Sequence, residues 1–462
     1  MSADEVEPIG SRVTSAAAAV VEAAPPGTPS ILQLAWPSIT GNLLYSLVGL
    51  VDIKIVGSLG APAIAAVTTG NRIFFVIQAL LIAVTAGTTA MVARAWGAGK
   101  FHEAEQVTRA SLAICLLIAL AASVPGIVFA PQLAGFFRLE AETVALAASF
   151  IRWISVFNVA FAVVFVLSAA LRAAGDVITP LWIGALTNVV NVGLVYSLVY
   201  GAFGLPRLGV RGAAIASGIA FCVGAVLLLA LWLRKRLRIG TGARGSLERT
   251  RVEQLVHIGY PAGLEQGVWQ GGFIAFLWLV SLYGTAPYAA YGIGVQILAF
   301  SFVVGFGFAI AASTHVGQRL GAGDLEGAAR SGWHAMWMSV LTMSVLGTSI
   351  IVFARPLASF MIDDAEVVRL TVVFIYILGA VQPLMAIEFA LGGALRGAGD
   401  TRFPLLTVFS GLIGVRIALA ALFAWLGFPV EWIFGALIAD YILKSCMLVA
   451  RFASGRWKTI EV

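Results

Sequence analysis

Charged residues are scarce in this sequence. Only 11% of the 462 residues are Asp, Glu, Lys or Arg, whereas 60% are hydrophobic and the mean hydropathy is +0.96. Soluble domains contain roughly 25% charged residues, because their surfaces face water. The composition therefore excludes a water-soluble globular protein and predicts a membrane protein.

Cysteine and histidine are also rare. The three cysteines, Cys115, Cys222 and Cys446, lie in apolar runs without the spacing of a redox or metal motif. The four histidines are scattered and have no ligand spacing. Nothing resembles a nucleotide-binding loop, a dinucleotide fingerprint or a catalytic triad. We therefore expect no enzyme activity, no metal site and no bound cofactor, so that an ion gradient must drive any work the chain does.

The charges that are present favour one sign. The net charge is +6, and the basic residues concentrate in alternate loops, above all between Arg234 and Arg251. By the positive-inside rule, these loops and both termini are expected to be cytoplasmic. The basic balance is thus interpreted as a signal of membrane orientation, and no binding to nucleic acid is expected.

Long apolar runs predict an all-α polytopic protein with twelve transmembrane helices, since about 20 apolar residues cross a bilayer. We expect a disordered cytoplasmic tail (1–31), an N-lobe (32–233), a basic cytoplasmic linker (234–253), a C-lobe (254–450) and a second tail (451–462). The predicted spans are 32–57, 63–93, 107–130, 146–171, 177–201 and 210–233 in the first half, and 254–283, 288–318, 331–354, 368–394, 403–426 and 432–450 in the second.

The two halves are copies of each other at a constant offset of 224 residues. Pro37 aligns with Pro261 and Gly60 with Gly284, and the segment 171–181 matches 395–405 at 7 of 11 positions. Six spans is an even number, so both copies enter the membrane from the same side, as parallel repeats about an axis along the membrane normal. This arrangement predicts two lobes around a central cleft.

Several motifs follow one another along the chain, and the GAG loops and LRxAGD turns among them recur in both halves. They are VDIKIVGSLGAPAIAAV (51–67), the GAGK and GAGD loops after the second and eighth spans, the two LRxAGD turns, and Pro-x-x-x-Glu-Gln in the seventh span. Together they resemble the multidrug and toxic compound extrusion (MATE) family, closest to its prokaryotic DinF-like branch, over roughly residues 32–450.

This resemblance implies a secondary active antiporter in the bacterial inner membrane. Such a protein exports organic, often cationic and lipophilic compounds by alternating access in exchange for H⁺ or Na⁺. In that family the aspartate of the first helix usually holds the coupling ion, and it matches Asp52. Polar side chains of the DinF-like branch map onto Ser168 and Asn191. Where that branch often has a second acid, this chain has Val195.

Asp52 is also conspicuous without any resemblance. A charged side chain inside a spanning helix costs about 2.5–3.5 kcal/mol, so it is expected to face a partner, a cavity or an exchangeable proton. Loss of water favours the neutral, protonated carboxyl that a proton carrier needs. Asn188 and Asn191 are three residues apart on one helix face, and their amides are candidates to ligate an ion beside Asp52 or to join helices.

The second half contains further polar residues in predicted spans. Glu265 and Glu388 are candidate groups of a substrate cleft, each with a structural brace as the alternative. Arg416, Asp440 and Lys444 are predicted to form a structural ion network, since Arg416 and Asp440 lie at similar depths and Asp440 precedes Lys444 by one helical turn. The other candidate cleft residues are amides and aromatics that could receive a cationic drug or simply pack: Gln266, Gln270, Tyr45, Trp269 and Phe276.

Two other classes remain as alternatives. One is a flippase for a lipid-linked or amphiphilic precursor within the same wider superfamily, although such proteins often have fourteen spans and a basic cavity. The other is the major facilitator family, whose Gly-Asp-Arg-type loop after the second span is absent here. The expected partners are small organic substrates and membrane lipids, and we expect a monomer.

Overall fold

The computed structural model describes residues 30–137, 139–241 and 247–460. The predicted N-terminal tail therefore lies almost wholly outside the described residues, as do positions 242–246 of the predicted linker. Every regular element in the described part of the chain is helical. The first half contains α1 (Ile31–Gly57), α2 (Ala61–Gly97), α3 (Phe101–Val128), α4 (Ala130–Gly135), α5 (Ala141–Val156), α6 (Asn158–Ala173), α7 (Ile178–Tyr200) and α8 (Val210–Leu233).

The second half repeats this order. It contains α9 (Arg249–Ser281), α10 (Thr285–Gly321), α11 (Leu325–Val352), α12 (Ala354–Met361), α13 (Ala365–Ala380), α14 (Gln382–Gly397), α15 (Arg402–Trp425) and α16 (Val430–Ala453). Residues Phe409–Ile417 of α15 form a π-helical stretch. Of the described helices, nine are long and apolar enough to cross a membrane individually, and two bent pairs bring the count to eleven. The twelfth span is α9, whose apolar run is interrupted by Glu265, Gln266 and Gln270.

Two predicted spans are not straight. The sequence predicts single helices over 146–171 and 368–394, but each is a pair of helices bent by 53° (α5 and α6) and by 47° (α13 and α14). The breaks fall at Phe157 and Val381, which are again 224 residues apart. Hydropathy alone missed the bends because a broken span and a straight span have the same apolar composition.

The duplication is also visible in the backbone. Gly60 and Gly284 start α2 and α10 with φ values of 104° and 102°, which only glycine adopts readily. The Gly175 and Gly399 turns have φ values of 83° and 89°. A left-handed residue at equivalent turns lets each copy reverse direction in the same way, which explains why these glycines recur at the constant offset.

The hydrophobic cores show where the lobes meet. One core lies within the N-lobe around Val56 and Phe150, and another lies within the C-lobe around Phe276 and Phe374. Two further cores combine both lobes. One includes Leu34 and Phe308, and the other is built from residues such as Val92 and Leu255. The mixed cores lie where α1 and α9 begin and α2 and α10 end, so the lobes join at that end and separate toward the other.

Glycines bring the two lobes together at the joined end. Gly97 of α2 leaves no room for a Cβ atom against the Gln318 carbonyl, and Gly321 of α10 has the same relation to the Arg94 carbonyl. The amide of Gln318 also donates a hydrogen bond of 2.8 Å to the Ala173 carbonyl. This twofold-related contact, which we call the glycine seam (Arg94, Gly97, Gln318 and Gly321), closes the cleft at one end.

Candidate functional site

Asp52 lies in the part of α1 where the lobes have separated. It shares a helix face with Gly41, three turns earlier, and with Val56, one turn later. Gly41 lies against Leu181 of α7, and Val56 is buried in the N-lobe core. Asp52 therefore faces α7 within the N-lobe. Its side chain is half-buried, and one carboxylate oxygen, Oδ1, is buried without a hydrogen-bond partner in the described structure.

In the described structure, the polar neighbours predicted for Asp52 on α6 and α7 form no hydrogen bond with it. Because α1 and α7 run in the same direction, the Gly41–Leu181 contact places Asp52 about level with Asn191. The Asn191 amide instead donates a 2.9 Å hydrogen bond to Ser217 of α8, and its Oδ1 atom has no partner in the described structure. Ser168 is buried, and Asn188 is half-buried. Val195 is fully buried, so it adds only packing here.

The C-lobe contains a buried network of four charges. The Lys444 ammonium lies 2.8 Å from Glu388 Oε2 and 3.5 Å from Asp440 Oδ1. Arg416 pairs with Asp440 from the π-helical stretch of α15. Both predicted pairs of Asp440 are formed, and Glu388 of α14 joins them. Two positive and two negative charges balance, which is how a protein interior tolerates ionised groups.

Aromatic rings surround this network. Lys444 lies 4.2 Å from the centroid of the Tyr441 ring and 5.7 Å from that of Trp269, and Arg416 lies 5.9 Å from the ring of Phe276. These distances are within the range of cation–π attraction. Trp269 and the fully buried Phe276 thus contact cations of the protein itself, whereas Tyr45 of α1 is 56% exposed.

Glu265 of α9 is also paired. Its carboxylate accepts hydrogen bonds from Arg396 of α14, at 2.5 Å and 3.3 Å. The partner of Glu265 is thus a cation 131 residues away in the sequence. Gln266 and Gln270 are half-buried. Both C-lobe candidates for cation attraction, Glu265 and Glu388, are therefore held by cations of the chain.

Arg72 is not among the site residues predicted from the sequence. It is exposed near the middle of α2, and the described structure contains no hydrogen bond or ion pair to it. A signal was present, because Arg72 is the only charged residue between Lys54 and Arg94. Its equivalent in the second half is Gln296, which is also exposed.

Comparisons with known proteins agree with this architecture. The family model MatE matches residues 37–197 and 261–422. A probable multidrug resistance protein NorM of Thermotoga maritima is 31% identical over 438 residues, covering 93% of this chain and 92% of the relative. The multidrug resistance protein NorM of Burkholderia vietnamiensis is 30% identical over 394 residues, covering 83% and 84%. The crystal structure of the Vibrio cholerae MATE transporter VcmN in the bent form superposes with a TM-score of 0.84 at 22% identity, covering 93% of this chain and 97% of that chain.

Proposed function

Because the chain belongs to the MATE family of multi-pass membrane transporters, we propose that it is a secondary antiporter that exports organic compounds and is coupled to protons at Asp52. The observation that carries the proposal is the contrast between the lobes. Glu265, Glu388 and Asp440 are each paired with a cation of the chain, whereas Asp52, which also has a buried carboxylate oxygen, forms no ion pair among the described residues.

A proton is the natural ligand for such a carboxylate. Burial disfavours the charged form of an acid unless an opposite charge compensates, and no ion pair to Asp52 exists among the described residues. Binding a proton removes the charge and needs no coordination shell. Na⁺, the other candidate, needs several oxygen ligands, and here the helix register places one open acceptor, Asn191 Oδ1, at about the level of Asp52.

Transport by alternating access is supported by the asymmetry of the lobe contact. If the termini are cytoplasmic, as the basic loops predict, the glycine seam closes the cytoplasmic end and the cleft opens outward. Rocking of the lobes about the seam would expose the cleft to the other side. Coupling then requires that protonation of Asp52 and binding of substrate favour different states of the lobes. Small lipophilic compounds would reach the cleft from the cytoplasm or the inner leaflet.

The test is efflux from proteoliposomes under an imposed pH gradient, a Na⁺ gradient or neither. Asp52→Asn removes the exchangeable proton, so gradient-driven export of a fluorescent organic dye is expected to fall to the protein-free level. Asp176→Asn is the matched control, because Asp176 accepts hydrogen bonds from the Thr179 N–H and hydroxyl at a helix start. If export by the Asp52→Asn protein kept its full dependence on the gradient, coupling at Asp52 would be refuted. If export by the wild-type chain depended on the Na⁺ gradient alone, the proton would be refuted as the coupling ion.

A further inference from the structure

The register of α2 places Arg72 in the cleft between the lobes. Arg72, Ala83 and Arg94 follow each other at intervals of 11 residues, which is close to three helical turns, so they share one face. Ala83 lies against Gly259 and Gly263 of α9, and the Arg94 carbonyl lies against Gly321 of α10. Both contacts are with the C-lobe, so Arg72 is directed toward the opposite lobe rather than toward lipid.

Beyond Ala83 this face no longer touches the C-lobe. Val76, one turn after Arg72, is 64% exposed, and Arg72 is exposed. Arg72 is 11 residues from the start of α2 at Ala61, or about 16 Å along the helix. A hydrocarbon core is about 30 Å thick, so the guanidinium lies near its middle, too deep to snorkel to the headgroups.

The residues across the cleft are neutral. Gln296, Gly307 and Gln318 of α10 follow the same 11-residue spacing, and Gly307 lies against Ile39 of α1, so Gln296 is directed toward the N-lobe. Gln270 of α9 is two turns beyond Gly263 on the face that meets α2, about level with Val76. By helix register, these side chains across the cleft from Arg72 are therefore amides and not acids.

The acids of the described chain do not neutralise this charge. Asp52 faces α7 in the N-lobe, while Glu265 pairs with Arg396 and Glu388 pairs with Lys444. An unpaired arginine at mid-membrane depth is costly, which marks it as a functional residue. The guanidinium fork matches the two oxygens of a carboxylate, and desolvation in the cleft strengthens that pairing.

We propose that Arg72 is a substrate-recognition residue that binds a carboxylate of the exported compound, so that the chain prefers carboxylate-bearing amphiphiles, including zwitterions, over simple organic cations. This inference rests on the proposed export function and narrows its substrate class. The same charge repels a cation that lacks a carboxylate, which provides discrimination against the wrong ligand as well as attraction to the right one.

The experiment compares two dyes that differ at one group: a rhodamine with a free carboxylate and its methyl ester. Their export is measured in proteoliposomes with the wild-type chain, Arg72→Gln and Arg72→Lys. Arg72→Gln installs the residue found at the equivalent position 296, and it is expected to reduce export of the carboxylate dye at least tenfold while export of the ester is unchanged or higher. Arg72→Lys is expected to be intermediate, because a single ammonium cannot form the bidentate pair.

Lys54→Gln is the matched control. Lys54 is also exposed and without a partner in the described structure, but it belongs to α1 and lies on a different face of that helix from Asp52. This variant is expected to change the export of neither dye.

The carboxylate assignment would be overturned if Arg72→Gln reduced export of both dyes equally, with an unchanged unfolding temperature. It would also be overturned if export of neither dye fell. Flipping of fluorescent phosphatidylserine is measured in the same proteoliposomes. If Arg72→Gln reduces only this flipping, the anionic group that Arg72 binds belongs to a lipid headgroup, and the carboxylate assignment is overturned.

Binding separates this inference from the export function. The dissociation constant of each dye is measured with purified protein in detergent, where no transport is needed. A carboxylate dye that binds the wild-type chain at least tenfold more tightly than Arg72→Gln supports the assignment even if export fails. Equal binding by the two proteins would contradict it even if export succeeds.

Discussion

Gly97 of α2 lies directly against the backbone carbonyl of Gln318 of α10, and the duplication repeats this contact as Gly321 against the carbonyl of Arg94. Neither glycine has room for a Cβ atom. The end of the cleft is therefore closed by backbone against backbone, and the closure depends on two residues without side chains. Two equivalent contacts about one axis can open and close together when the lobes rock.

Gly97→Ala is predicted to hold the lobes apart at the joined end. The added methyl group meets a backbone carbonyl, which cannot turn away as a flexible side chain can. We expect export to fall at least tenfold. We also expect a cysteine introduced at buried Ala93, in a background without other cysteines, to react faster in Gly97→Ala than without that change. The reagent is a membrane-impermeant maleimide added on the side of the membrane where the lobes are joined.

Gly193→Ala provides the comparison for the seam. No atom lies within 4 Å of where its Cβ would be, so the change is expected to leave export and labelling unchanged. Equal effects of Gly97→Ala and Gly193→Ala would show that helix propensity, and not the contact between lobes, explains the result.

The C-lobe charge network is predicted to be sensitive to the loss of one member and more tolerant of the loss of a pair. Lys444→Met leaves Glu388 and Asp440 buried with only Arg416, and an uncompensated buried charge costs about 3–5 kcal/mol. The double variant Glu388→Gln, Lys444→Met keeps the Arg416–Asp440 pair and is expected to regain more than half of that loss. The free energy of unfolding is measured in mixed micelles for the single variants and for the double variant. If the loss in the double variant equals the sum of the losses in the single variants, the charges do not form a coupled network.

Arg396→Gln is predicted to release the Glu265 carboxylate. A hydrogen bond to a charged group contributes about 1.5–3 kcal/mol, so the unfolding temperature should fall. The freed acid should also make the protein respond to Na⁺, with a rise in unfolding temperature that the wild-type chain does not show. Arg172→Gln is the matched variant, since the position equivalent to Glu265 is Gly41 and no acid is released. A Na⁺ response in the wild-type chain would mean that the pair with Arg396 does not block this site.

Asp324 is predicted to stabilise the start of α11. It caps the helix by accepting a 2.7 Å hydrogen bond from the Gly327 N–H, and it pairs with Arg319 at 2.6 Å. Burial acts to raise the pKa of Asp324, but the Gly327 N–H and the Arg319 guanidinium outweigh it, so that the pKa is lowered. Asp324→Ala should cost about 0.5–2 kcal/mol at neutral pH.

The pH dependence follows from that lowered pKa. An acid whose pKa is lower in the folded state contributes its full stability above its ordinary pKa of about 3.9 and loses it as pH falls through the folded-state value. The difference in free energy of unfolding between the wild-type chain and Asp324→Ala should therefore narrow only below about pH 4. Lys100 is the equivalent residue and makes no side-chain cap, so Lys100→Ala should have little effect at any pH. A constant difference through the acid range would contradict the assigned role.

The features that the sequence predicted well are those that depend on composition along the chain. Apolar runs indicated spans, since the bilayer requires about 20 apolar residues for each crossing. The constant offset revealed two copies, and the even number of spans in each made them parallel. The pairing of Asp440 with Lys444 was also accessible, because residues four apart on a helix are neighbours in any fold that keeps the helix.

Tertiary packing alone decided the features that join distant helices. Helix rotation and tilt determine which carboxylates meet a cation, so neither Glu265 with Arg396 nor Glu388 with Lys444 follows from local pattern. The same rotation turned Asp52 toward α7 and Arg72 toward the other lobe. The sequence by itself thus determined a duplicated, twelve-span transporter with one conspicuous acid. Only the folded structure decided that Glu265, Glu388 and Asp440 pair with cations of the chain, and that Arg72 has no ion pair among the described residues.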